Sequence, residues 1–186
     1  MATERTMGAD HIAQGGGEGK YEPQRPFNFQ LVLSDVPGDK EIKLSVLSFS
    51  VPNISNEPIV IPYLNEDRKV AGAVTFETAN LVCVDYIDPN TLDFLQQWRD
   101  LVYAGNEDGD GGVGKASDYK KDGDLQMFGP DALDSSKRSW KMIGLWPQSL
   151  QHGEFNMGSR TEYKQVTLIL SVDRMYLTTE GGSQEF

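Results

Sequence analysis

Apolar and polar residues first fall into register after Arg25: Phe27, Phe29, Leu31 and Leu33 alternate with Asn28, Gln30 and Val32. A period of two is what a half-buried strand requires. Val36-Pro37-Gly38-Asp39-Lys40 reads as a hairpin turn. A second alternating run follows, with Ile42, Leu44 and Val46 on one face and Lys43, Ser45 and Leu47 on the other, continuing to Val51. These two runs are expected to pair with each other. Three prolines (Pro52, Pro58, Pro62) and the charged tip Asn65-Glu66-Asp67-Arg68-Lys69 then exclude residues 52–70 from a central strand. A connection of that length without internal structure is usually functional or disordered. Its apolar residues, Ile59-Val60-Ile61 and Tyr63-Leu64, are expected to pack on something.

Ala73 to Asp85 reads as one further strand, with Val74, Phe76, Thr78 and Val82 on one face and Thr75, Glu77, Ala79 and Cys83 on the other. A helix is expected next, with Asp88 as N-cap, Pro89 at its first position and Asp93 in its first turns. Its apolar stripe, Leu92, Leu95, Trp98, Leu101 and Val102, has spacings of mainly three and four, and Gly105 is the natural stop. Residues 105–136 are rich in Gly and Asp, with only Leu125, Met127 and Phe128 as an apolar knot, and read as a surface excursion. Two strands close the pattern. Arg138 to Leu145 sets Trp140 and Met142 against Lys141 and Ile143 and stops at Trp146-Pro147; Tyr163 to Met175 sets Val166, Leu168, Leu170 and Val172 against Gln165, Thr167, Ser171 and Asp173. The fold class is therefore mainly β (α+β): two packed antiparallel β-sheets in a sandwich or barrel, with one flanking α-helix and long loops. Residues 1–24, with Gly15-Gly16-Gly17 and Gly19, read as a glycine-rich arm, 25–175 as the β domain and 176–186 as a C-terminal tail.

Composition narrows the chemistry. The 186 residues carry 28 acidic and 17 basic side chains, a formal charge of −11. That balance opposes a grip on nucleic acid phosphates. A lone cysteine, Cys83, forms no internal bridge, and neither a leader nor a membrane span is expected. The only histidines, His11 and His152, adjoin no nucleophile motif, and with one cysteine they cannot close a zinc site. Asn106-Glu107-Asp108-Gly109-Asp110-Gly111 resembles the start of a calcium loop, but Ser117 stands where the bidentate glutamate belongs. Residues 111–115, Gly-Gly-Val-Gly-Lys, lack the spacing of a phosphate-binding loop. Asp122 and Asp124 read as solvated loop acids, Tyr86, Trp98, Trp140 and Trp146 as core, and Cys83 as a small packed residue. No catalytic, cofactor-binding or metal-binding residue is expected, which leaves a subunit rather than an enzyme.

Several segments, in order, resemble the tail tube proteins of contractile-tailed bacteriophages. They are Arg25-Pro26-Phe27-Asn28-Phe29-Gln30, Val51-Pro52-Asn53, the stretch from Pro58 to Pro62 leading into Asn65-Glu66-Asp67-Arg68-Lys69-Val70-Ala71-Gly72, Thr75-Phe76, the helix around Trp98, Tyr119-Lys120-Lys121, Gly144-Leu145-Trp146-Pro147, and Val166 to Val172. The resemblance implies homohexameric rings that stack into a hollow tube, with a tail sheath protein outside, baseplate and tail terminator proteins at the ends and a tape measure protein in the lumen. Double-stranded DNA would pass without specific binding, no membrane anchor would be needed, and the protein would be found in the virion tail after assembly in the host cytoplasm. It further implies that Asn53, Ile54, Ser55, Asn56, Glu57, Pro58, Ile59, Tyr63, Asn65, Glu66, Asp67, Arg68 and Lys69 contact the adjacent ring. Thr75, Glu77, Gln165, Thr167, Ser171 and Asp173 are expected to face the lumen, where a lining of the genome's own sign would keep it from sticking. The alternatives are the related inner tube of a contractile injection system that delivers protein, and a soluble β-barrel that holds a small ligand.

Overall fold

A computed structural model of the chain describes residues 26–88, 90–105, 111–128, 136–158, 161–179 and 182–183. The expected arm and the calcium-like residues 106–110 lie outside the described residues. In chain order the elements are β1 (Phe29–Leu33), α1 (Asp39–Ser45), β2 (Val46–Ser50), β3 (Ile54–Tyr63), β4 (Glu66–Phe76), β5 (Ala79–Val84) and α2 (Thr91–Val102). There follow β6 (Tyr103–Ala104), β7 (Gly112–Val113), α3 (Ala116–Tyr119), β8 (Lys121–Phe128), β9 (Ser136–Gln151), β10 (Gln165–Ser171), β11 (Arg174–Thr179) and β12 (Gly182–Ser183).

The main sheet runs β1-β8-β9-β10-β5-β2, with β11 added on β9 and β12 on β11. Strand β9 belongs to two half-sheets. Its first part pairs with β8 and β11, and its last part, from Trp146 to Gln151, pairs with β10. Between them stands Gly144 at φ 69°, where a side chain would strain the backbone and meet the Asp173 carboxylate. The two halves thus fold over and bury their inner faces in one cluster. Leu31, Leu33, Leu125, Met142 and Met175 come from one half, and Ala79, Leu81, Cys83, Val166, Leu168 and Leu170 from the other. Helix α2 seals the cluster with Leu95 and Trp98, both without solvent exposure, and the Trp98 indole donates to the Tyr119 carbonyl at 2.9 Å. The expected class, two packed antiparallel sheets with a flanking helix, is what the structure has.

Several local expectations are corrected. The first two runs do not form a hairpin. β1 pairs with β8, and residues 39–45 are helical, so Ile42 and Ser45 are buried on one face while Leu44 is 81% exposed. Spacings of two and of three to four compete in so short a segment, and burial of Ser45 against Thr91, their hydroxyls 2.9 Å apart, accompanies the helix. β2 pairs instead with β5. The proline-bearing excursion is no loop. It forms a two-stranded ribbon, β3 with β4, where both strands are edges and prolines are tolerated. The strand expected over 73–85 breaks at Glu77-Thr78, leaving Ala79, Leu81 and Cys83 as the inward set.

Helix α2 is capped by Asn90, whose Oδ1 accepts from the Asp93 N–H at 3.4 Å, rather than by Asp88, and it ends before Tyr103, not at Gly105. Within 105–136, β8 enters the middle of the sheet. The inward position before Leu125 is Gly123, because Leu145 and Leu33 crowd the space where a Cβ would stand, and this glycine hides the alternation. β9 does not stop at Trp146-Pro147. It runs to Gln151 with a register shift against β10 at the proline. The final run breaks around Val172-Asp173, and β11 continues the sheet into the segment expected to be a tail. Of the four aromatic residues expected in the core, only Trp98 is fully enclosed; Tyr86 is 45% exposed.

Candidate assembly surfaces

The ribbon is built from pairs that its own domain leaves uncovered. All ten residues of β3 are exposed, and the tip is a tight turn with Leu64 at φ 56° and Asn65. Alternation sorts its faces. Ile59, Ile61 and Tyr63 lie on one, opposite Val70, Arg68 and Glu66; Pro58, Val60 and Pro62 lie on the other, opposite Ala71, Lys69 and Asp67. The Arg68 guanidinium sits 4.4 Å from the centre of the Tyr63 ring, which orders a charge at an apolar tip. At the base, the Ser55 and Thr75 hydroxyls are 3.0 Å apart and the Asn53 amide donates to Glu77 at 2.9 Å. The ribbon therefore carries apolar side chains on both faces and two open edges. Exposed apolar surface and open strand edges of this kind are the usual marks of an interaction site. Twelve of the thirteen residues expected at an adjacent ring lie on this ribbon, and Asn53 holds its base.

A second surface is the outer face of β2, β5, β10 and the end of β9. The register sets Gln151, Thr167, Val82 and Ser48 in one row across the four strands, and Ser149, Ile169, Asn80 and Ser50 in the next. Gln165, Thr167 and Ser171, three of the expected lumen residues, share this face. The other three lie elsewhere. Thr75 is on the ribbon, Glu77 is in the link from β4 to β5, and Asp173 is in the bend before β11, where its carboxylate accepts from Lys120 Nζ at 2.5 Å. Asn80, Ser48, Ser50, Ser149 and Gln151 escaped the sequence reading. β5 and β9 meet β10, and β2 meets β5, only through long-range pairing; the one local sign was Asn80 between two buried positions of β5.

A third feature is an open apolar groove of about 870 Å³ between β1 and β8 on one side and α1 and β2 on the other, with Phe29, Phe49, Met127 and Trp140 in its lining. Phe27 on its rim is 70% exposed. Asp122 and Asp124 stand on β8 rather than in a loop. Asp122 accepts from the Gly144 N–H at 3.2 Å, and Asp124 accepts from the Ser139 hydroxyl and from Gln126. Cys83 is fully buried, and desolvation pushes its thiol up to about 12. His152 is exposed just past β9.

The fold recurs in solved structures. The chain is similar to a chain of an extracellular contractile injection system, the PVC sheath-tube complex in its extended state, with a TM-score of 0.66 and 18% identity, over 90% of this chain and 97% of that one. It is similar to a chain of the anti-feeding prophage cap, a tube-terminating cap, with a TM-score of 0.66 and 18% identity, over 86% and 93% of the two chains. The fold is thus shared with a chain of a sheath-tube complex and with a chain of a tube-terminating cap. In sequence, the chain is 20% identical to the tail tube protein of Serratia phage KSP90 over 157 residues, 84% of this chain and 86% of that protein. No protein-family model matches.

Proposed function

We propose that this chain is a structural subunit of a phage tail tube, without a catalytic step of its own. Copies close into six-membered rings that stack into a hollow conduit in the virion tail, through which the genome leaves. The observation that carries the reading is the ribbon, exposed along all of β3 and apolar on both faces, which the fold projects outside the core formed by the described residues. Stacking would cover it with the neighbouring ring, and joining β-structure between copies would cap strand edges that a solitary molecule leaves open. Similarity to a phage tail tube protein and to a tube-bearing sheath complex supports the same reading. A sheath outside, a terminator at one end and a baseplate at the other are the partners that reading calls for, with a tape measure protein in the bore during assembly.

Purified chain examined by sizing and negative-stain microscopy tests this. Rings or tubes are expected, and replacement of residues 54–76 by a short turn leaves monomers. A native chain that stays monomeric at high concentration overturns the reading. A conduit for protein cargo is the second reading, favoured by the injection-system neighbours; a tube recovered from virions with DNA in its bore would decide against it.

A further inference from the structure

Resting on the proposed tube, we infer that the outer face of β2, β5, β10 and the end of β9 is an uncharged bore wall, over which a nucleic acid duplex slides without being electrostatically held or repelled. Total charge suggests otherwise, since the chain carries −11 and a ring of six would carry six times that. Register decides where the charge goes. The two central rows, Gln151-Thr167-Val82-Ser48 and Ser149-Ile169-Asn80-Ser50, hold only amides, hydroxyls and branched apolar groups.

Charge is found at the two ends of these strands and, along the β9 side, on Arg99 and Asp100 of α2, which share a cleft with Ser149. Beyond Ser171, Asp173 is bound to Lys120 at 2.5 Å, and on the same side Glu77 accepts from Asn53 at 2.9 Å. Beyond Gln165, Lys164 is bound to Asp85 at 3.0 Å. Seven residues of strand span about 20 Å, so the middle of the wall lies about 10 Å from either rim, beyond the screening length of about 8 Å at physiological salt. The opposite half-sheet is unlike it: Asp124, Lys141 and Arg174 stand on its outer face. Neutral hydroxyls and amides hold water without concentrating counter-ions. A duplex carrying one charge per about 1.7 Å thus meets neither a partner nor a mirror charge.

The test uses assembled tubes of the Thr167→Cys variant, since Cys83 is buried and silent. The rates of modification by a cationic and by an anionic methanethiosulfonate are each divided by the rate for a free thiol. The normalised ratio is expected to stay within about twofold of one and to be the same at low and high salt. A cation preference of about tenfold or more that collapses in high salt would mean a charged bore and would overturn the inference. A maleimide on a bulky polymer separates this from the tube reading. If it labels tubes as fast as a small maleimide does, this face is on the outside and the wall assignment falls, whatever the charge ratio. If the small reagents also fail in tubes, the face is buried and the inference falls as well. Asn80→Cys, at the centre of the neighbouring row and exposed, serves where Thr167→Cys does not assemble, and absence of tubes from the unmodified chain would refute the tube itself.

Discussion

Replacing Ile59 and Ile61 together by threonine separates what the ribbon does for assembly from what it does for folding. The two side chains lie on one face of β3, 54% and 48% exposed, outside the domain's core. Threonine keeps the branch at Cβ and the strand preference while removing apolar surface. Burying the exposed half of an isoleucine is worth about 1 kcal/mol, so the pair would contribute about 2 kcal/mol to each contact with a neighbour in the proposed tube. On the proposed stacking of rings, that would correspond to about thirtyfold in affinity per contact, multiplied at every ring-to-ring junction where six copies would dock together. Tube length by negative stain and tube survival through a urea series are the assays, with thermal unfolding of the unassembled chain as control. Shortened tubes that dissolve at lower urea, with an unchanged unfolding midpoint, are expected. Wild-type tubes would refute ribbon burial between rings, and a lowered midpoint in the monomer would mean that these residues stabilise the domain itself.

Three further outcomes follow from the core. Trp98→Phe removes the indole bond to the Tyr119 carbonyl and leaves a void, and should lower stability by about 1–3 kcal/mol in urea unfolding; an unchanged midpoint would mean that α2 is not the seal described. Gly144→Ala forces a side chain into the left-handed region beside Asp173, costing about 1–2 kcal/mol, whereas Gly112→Ala, which meets open space, should cost little; equal effects on the melting temperature would count against a required bend. Cys83 resists thiol reagents in the native state and reacts once the chain is unfolded. Because burial raises its pKa from 9.0 to about 12, above the lower value the unfolded state releases a proton that the folded state keeps. Stability therefore falls as pH rises through that window, by up to about 1.4 kcal/mol per unit. Cys83→Ala should lack this component in alkaline denaturation, and identical slopes for the two proteins would be the contrary result.

Elements with one wet and one dry face were legible in the sequence: β1 and β10 by their alternation, α2 by its stripe. Elements that break that rule were not. The ribbon is wet on both faces, so no one-sided pattern marks it, and its prolines argue against a strand until both strands are seen to be edges. β8 was masked by Gly123, a gap in the apolar period that Leu33 and Leu145 require. Across α1 and the start of β2, Ile42, Leu44 and Val46 satisfied a period of two, and the burial of Ile42 and Ser45 on one face with Leu44 exposed distinguishes the helix. Of the proposed wall, Gln165, Thr167 and Ser171 were readable along one strand. Their neighbours were not, because Val82 and Gln151 meet Thr167 only through pairings across distant stretches of chain.

Strand β9 threads both halves of the sandwich without interruption. A force that tries to peel the halves apart is therefore met at the Gly144 elbow by covalent backbone, with hydrogen-bonded ladders to either side of it. In a conduit driven through a cell envelope, such an elbow would let each unit flex under axial shock and spring back, where two plates held only by oily contact would shear.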